Sequence, residues 1–377
     1  MLADGRLRDS KFQASAGETE MARRRFKGPQ CIERKVRKLR PAPHCLSLVF
    51  LMPARRTDRL SRLRPIGTFL PAIRRDSKVI TRRQFQLGFG TALIATALSG
   101  RPRAARASTA NQRLIGEIKR LESESGGRLG VCVLETATGT RHVHRGDERF
   151  PMCSTFKALA AAAILARVDA GNEQLTRRIT FDASALVVNS PVTEKRVGGD
   201  GMTVAEICDA AVTRSDNTAG NLLLAGIGGP SGLTAFARSL GDEVTRLDRD
   251  EPSLNEALPG DPRDTTTPNA MASNLQALIL GTKALSAASR EQLTAWLIAN
   301  KTGDTRLRAG FAKGWRVGDK TGTGGRGTNN HVAVVWPPSA APMVIAVYLT
   351  GATVSFEQQN AIVASVARAV SATHPAK

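Results

Sequence analysis

A run of apolar residues from 154 to 169 carries a single charge, Lys157, before Arg167. The run is rich in Ala and Leu and meets no breaker until Gly171, so it predicts a buried helix. A lone buried ammonium is costly, and a fold that buries this helix cannot leave Lys157 without a purpose. Ser154 lies three residues earlier, on the same helical face. A serine hydroxyl is a poor nucleophile until a neighbour takes its proton. Lys157 can do so only if its pKa is lowered, by burial or by a second cation such as Lys320. The helix N-terminus at Ser154 would also offer backbone N–H groups to a developing oxyanion. A serine there is equally an ordinary N-cap, and it is the lysine that argues for chemistry.

Two further motifs follow in order. Ser215-Asp216-Asn217 comes about 60 residues after Ser154, and Lys320-Thr321-Gly322-Thr323, expected at a strand end, about 100 residues after that. Between them stands Arg249-Asp250-Glu251-Pro252-Ser253-Leu254-Asn255, then Asp264. Glu251 precedes a proline and is held in extended or turn geometry, which suits a loop. Glu251 and Asn255, four apart, could hold one water between them, and Arg249 and Asp264 could pair across the loop base.

The remaining pattern predicts an α+β fold. Residues 112–124 place Leu114, Ile115, Ile118 and Leu121 on one helical stripe. Strands are expected at Leu129–Glu135, Thr140–Val143, Trp315–Gly318, His331–Trp336 and Met343–Thr350, and a final helix carries Ile362, Val363, Val366 and Val370. An antiparallel sheet built from both chain ends (about 108–150 and 300–377), flanked by helices, would carry an inserted all-α part at about 151–299.

The formal net charge of +21 suggests nucleic acid only until it is located. Residues 1–107 hold 25 Lys and Arg against 7 Asp and Glu, whereas 108–377 hold 29 against 26. The basic excess belongs to a leader, and no nucleic-acid partner is expected. Arg82-Arg83 with Phe85, an apolar run from Leu87 to Leu98 and the small-x-small site Ala105-Arg106-Ala107 form an export signal of twin-arginine type over 79–107. The run is too short for a stable membrane span. Residues 1–78 lie upstream of a signal that belongs at an N-terminus and are taken as a mis-called or disordered leader. The cysteines Cys132, Cys153 and Cys208 show no metal-ligand spacing, so neither zinc nor another metal is expected.

Taken together, the three motifs resemble those of class A serine β-lactamases. The resemblance covers about residues 112–375, and the 249–264 segment looks like that family's omega loop. It implies a β-lactamase/DD-peptidase-like fold, no cofactor, and hydrolysis of penicillin- or cephalosporin-type antibiotics through a serine acyl-enzyme; with the export signal, a periplasmic monomer is expected. Ser154 would attack the lactam carbonyl, with its proton going to Lys157 or through a water to Glu251. The N–H groups of Ser154 and Thr323 would form the oxyanion hole, and Ser215 would protonate the leaving nitrogen. Asn217 would bind the acylamide side chain, and Lys320, Thr321, Gly322 and Thr323 the substrate carboxylate. Glu251 and Asn255 would hold the hydrolytic water. Asn329 stands where many members carry an arginine, and Arg306 matches the place where others put it instead. Asn189 replaces an aromatic that usually flanks the cleft. Ala161 and Gly324 stand at the partner positions that Cys208 and Cys153 have in some members, so no disulfide is expected. The competing reading is a penicillin-binding sensor or DD-peptidase-like protein that acylates without turnover, against which the Glu251 and Asn255 pair argues.

Translation is expected to begin near Val79. Intact-mass analysis or N-terminal sequencing of the natural product should find no peptide from within 1–78, and any such peptide refutes the assignment.

Overall fold

The computed structural model describes residues 101–373, with side chains from 110 onward. The expectations for 1–78 and for most of 79–107 lie outside them. Helix α1 (Arg101–Ser125) leads into strands β1 (Arg128–Glu135) and β2 (Arg141–His144). The short strand β3 (Phe150–Pro151), a 3-10 turn (Cys153–Thr155) and helix α2 (Phe156–Asp169) come next. The middle of the chain holds β4 (Arg178–Ile179), β5 (Met202–Thr203), α3 (Val204–Thr213), α4 (Asn217–Gly226) and α5 (Gly229–Ser239). After the loop come β6 (Thr265–Thr266), α6 (Pro268–Leu275) and α7 (Ala287–Ile298). The last stretch is α8 (Leu307–Gly310), β7 (Arg316–Gly324), β8 (Thr328–Trp336), β9 (Met343–Thr350) and α9 (Phe356–Thr373).

Five strands pair in the order β2-β1-β9-β8-β7, every pair antiparallel. Strand β1 lies beside β9, with Val131 opposite Val347, so both chain ends build one sheet. Period-two alternation sorts its side chains into two cores. Leu129, Val131, Val133, Ile345, Val347 and Leu349 face Leu114, Ile118 and Leu121 of α1 and Ile362, Val363, Val366 and Val370 of α9. Cys132, Leu134, Val332, Val334, Val344, Ala346 and Tyr348 join a second core with α2, α3, α6 and α7. A sheet covered on both faces reads as near-continuous apolar runs, as β1 and β9 do.

The expected α+β architecture is present, but the inserted part is not all-α, because short extended segments pair there as β4 with β5 and as β6 with β3. Among the element ends that differ, two bear on the site. The buried helix begins at Phe156 rather than Ser154, because residues 153–155 form a 3-10 turn with Cys153 in the left-handed region at φ 46°. Strand β7 runs to Gly324, well past the expected end at Gly318, because β8 pairs with it through Gly324–Thr328. The Lys320–Thr323 motif therefore sits inside the ladder, in its turn-ward half.

Local capping agrees with this layout. Helix α3 starts on a capping box between Thr203 and Glu206, and α4 on Asp216, whose carboxylate accepts from the Ala219 N–H at 2.8 Å.

Ile118 is fully buried between α1 and the sheet. Ile118→Ala should lower unfolding stability by about 2–5 kcal/mol, read as a shifted urea midpoint with unchanged slope. A midpoint equal to wild type contradicts this packing.

Candidate active site

Helix α2 is buried from Phe156 through Leu165, and Lys157 is fully enclosed with it. Four oxygens from three other segments surround its ammonium. Ser154 Oγ lies at 2.9 Å, the Ser215 carbonyl at 2.9 Å, Asn217 Oδ1 at 2.6 Å and Glu251 Oε1 at 3.0 Å. Ser154 Oγ in turn donates to Glu251 Oε1 at 2.9 Å. The hydroxyl thus touches both groups able to take its proton. Two of these backbone positions, Cys153 and Ser215, have positive φ (46° and 57°), which for non-glycine residues costs about 1–3 kcal/mol each and persists only where surroundings over-determine it.

Burial holds the Lys157 ammonium below the usual lysine pKa, and the Glu251 carboxylate beside it offsets part of that shift. Lys320 is also fully buried and donates to Ser215 Oγ at 2.9 Å and to the Thr321 carbonyl at 2.8 Å. Its pKa is pushed well down, first by burial and then by Lys157. The Lys157 ammonium is thus lowered chiefly by burial, one of the two causes that the sequence suggested.

Two glycines are required by close approach. A Cβ on Gly220 of α4 would meet Lys157 Cε at 2.7 Å. A Cβ on Gly322 would meet the Met152 carbonyl at 2.8 Å and Thr155 Cγ2 at 3.2 Å, so β7 can run against the serine turn only with glycine there. That contact sets the backbone at Thr323 next to that at Ser154.

The 249–264 loop is closed by Arg249 and Asp264, whose Nε and Oδ2 are 2.6 Å apart. Asp264 Oδ1 also accepts from the N–H groups of Asp248 and Arg249, at 2.8 and 2.9 Å. Asn221 of α4 grips Glu251 from both sides, its Oδ1 accepting from the Glu251 N–H at 2.8 Å and its Nδ2 donating to the Glu251 carbonyl at 2.9 Å. The peptide Glu251–Pro252 is cis. The Glu251 carboxylate meets Ser154 directly, and Asn255 Nδ2 donates directly to Glu251 Oε2, where one water's separation was expected. The Asn221 clamp pins residue 251 over the serine and leaves the side chains in contact.

Arg306 is 5% exposed and bonds to the Gly322 carbonyl (3.1 Å), the Asn330 carbonyl (2.9 Å) and Thr323 Oγ1 (2.7 Å). Burial lowers its pKa to about 10. It sits behind β7 and reaches the cleft through Thr323. Thr321 Oγ1 is 2.5 Å from Thr302 Oγ1. Asn329 is buried and donates to Asn360 Oδ1 at 2.9 Å. Cys132, Cys153 and Cys208 are buried free thiols, and Cys153 Sγ lies 2.6 Å from where a Cβ on Gly324 would be.

One family model, described as the beta-lactamase enzyme family, matches residues 113–373. The chain is 51% identical over 254 residues to beta-lactamase Toho-1 of Escherichia coli, spanning 67% of this chain and 87% of that protein. It is 45% identical over 299 residues to beta-lactamase L2 of Stenotrophomonas maltophilia, spanning 77% and 98%. Among solved structures, an ancestral class A β-lactamase is 66% identical with TM-score 0.67, covering 68% of this chain and 98% of that one. The chain belongs to the class A serine β-lactamases. As a β-lactamase it hydrolyses the β-lactam ring and confers resistance to antibiotics of that type.

The β-lactamase fold brings together every residue singled out from the motifs: Ser154, Lys157, Ser215, Asn217, Glu251, Asn255, Lys320, Thr321, Gly322, Thr323 and, behind them, Arg306. Sequence reasoning missed Asp216 as a hub. Its carboxylate accepts from the Val192 and Thr193 N–H groups at 2.9 and 3.0 Å, from Thr193 Oγ1 at 2.9 Å and from the Ala219 N–H. Its place inside the Ser215–Asn217 motif was the available signal. Asn221 and Gly220 lie in α4 without any motif of their own.

Gly220→Ala should leave the β-lactamase folded while displacing Lys157, lowering kcat at least about tenfold. Unchanged kcat in a variant with native circular dichroism contradicts the close packing of α4 on Lys157.

Proposed function

We propose that Ser154 is the nucleophile, and that Lys157 and Glu251 act on it as one proton-accepting unit. The observation that carries this reading is that Ser154 Oγ lies 2.9 Å from both Lys157 Nζ and Glu251 Oε1. The Ser154 proton passes to the pair as Oγ bonds to the lactam carbonyl carbon. The carbonyl oxygen, now negative, is met by the N–H groups of Ser154 and Thr323, worth roughly 3–4 kcal/mol per donor in a comparable hydrolase. The C–N bond then breaks, and Ser215, held by Lys320, delivers a proton to the leaving nitrogen and takes in its place the one the pair received from Ser154, which returns the pair to its proton-accepting state.

Hydrolysis of the ester reuses the same pair. Glu251 takes a proton from a water that attacks the acyl carbon, and Oγ leaves as a hydroxyl. Asn255 orients the Glu251 carboxylate and shares in placing that water. Asn217 receives the acylamide side chain. Lys320, Thr321, Gly322 and Thr323 receive the substrate carboxylate, with Arg306 adding positive charge through Thr323. The direct reach of Glu251 to Ser154 favours turnover over a sensor that stays acylated.

The enzyme acts as an exported monomer in the periplasm, carried by a twin-arginine signal at 79–107. The match to beta-lactamase L2 takes in 98% of that protein but 77% of this chain, which supports a leader without counterpart. Among the described residues no helix is long and apolar enough to cross a membrane.

Ser154→Ala should cut hydrolysis of a chromogenic cephalosporin by at least about a thousandfold. Retained hydrolysis excludes a Ser154 acyl-enzyme. Glu251→Ala should accumulate an adduct heavier by one whole substrate, seen by intact mass spectrometry. Turnover that persists with no adduct contradicts the role given to Glu251.

A further inference from the structure

Beside the active site lies a cavity of about 400 Å³ whose lining includes Lys195, Arg196, Arg214 and Lys301. No carboxylate lines it. Arg196 has a loose ion pair with Glu206 at 3.6 Å, and Asp209 lies within electrostatic range of Arg214. For Lys195 and Lys301 there is no side-chain hydrogen bond or ion pair among the described residues. Four cations thus converge on one concavity with little to neutralise them, and their mutual repulsion is relieved by an anion placed between them.

The cavity shares walls with the active site. Its lining residue Thr302 bonds Thr321 at 2.5 Å. Arg214 directly precedes Ser215, which takes the Lys320 ammonium at 2.9 Å. Val192, also in the lining, gives its N–H to Asp216 at 2.9 Å. Glu251 and Asn255 take no part in the lining, and the Thr302–Thr321 bond puts the cavity nearest the end of the cleft assigned to the ring carboxylate. In a cephalosporin the carbon bearing that carboxylate is bonded to the carbon bearing the 3-substituent. An arm at that position would leave the ring on the side of Thr321 and Thr302.

We propose that this cavity is an anion-binding annex of the active site, which accepts a second negative charge, a carboxylate or phosphate, carried on the substrate's arm next to the ring carboxylate. The inference rests on the assignment of Lys320 to Thr323 as the seat of that first carboxylate. A free inorganic anion has the same chemistry and competes for the same four cations. The cations are exposed, so the attraction weakens as salt shortens its range.

The test compares two cephalosporins that differ only in a neutral or an anionic 3-substituent, hydrolysed by the full enzyme and by the double variant Arg214→Gln, Lys301→Gln. The wild type should favour the anionic substrate by about tenfold in kcat/KM, equal to about 1.4 kcal/mol. The double variant should lose that preference and hydrolyse the neutral substrate within about twofold of wild type. Raising sodium chloride from about 0.05 to 0.5 M, or adding inorganic phosphate, should erase the preference in the wild type and leave the neutral substrate unaffected. An equal ratio in both enzymes overturns the annex, as does phosphate that inhibits both substrates alike. Failure to hydrolyse either substrate strikes instead at the catalytic assignment, and so the two failures are distinguishable.

Discussion

Lys157 brings an amine into an interior that excludes water, where an unpartnered ammonium would cost several kcal/mol or lose its proton. The fold answers with acceptors drawn from the serine turn, the 215–217 loop and the 249–264 loop. Each segment is anchored elsewhere before it reaches the lysine. Asp216 ties the second loop to residues 192–193, and Asn221 ties the third to α4. Removing one partner would leave a buried charge uncompensated, which is why residues so distant in the chain behave as one unit.

The same arrangement supplies the chemistry. A hydroxyl bonded to an amine of lowered pKa and to a carboxylate loses its proton readily, and the proton has somewhere to return. The sheet sets the opposite wall. Strand β7 presses against the serine turn only because residue 322 lacks a Cβ, and that contact aligns the two backbone donors named for the oxyanion. Arg306, buried behind the strand, donates to Thr323 Oγ1 and so holds that side chain in place.

Much of this was legible in the chain. The two stripes of α1 and α9 and the apolar runs of β1, β8 and β9 follow from periodicity, which survives folding because it dictates which face is buried. The motif residues were legible because Lys157 is out of place in an apolar helix and Glu251 is fixed by its proline. Other features depend on tertiary contact and leave no local trace. The helix start moved from Ser154 to Phe156 because strand β7 and the loop residue Asp264 pin the preceding turn, Met152 donating its N–H to the Asp264 carbonyl at 2.8 Å. Asn221 and Gly220 matter through what lies across from them, and nothing in their own sequence neighbourhood says so.

The most direct measurement of this account is an NMR titration of the Lys157 side chain in the folded enzyme, assigned by comparison with a Lys157→Arg variant. Burial as the dominant influence predicts a midpoint below the ordinary lysine value of about 10.4. A midpoint at or above that value would mean that the amine is solvated or over-paired, and that it cannot share the serine's proton as described.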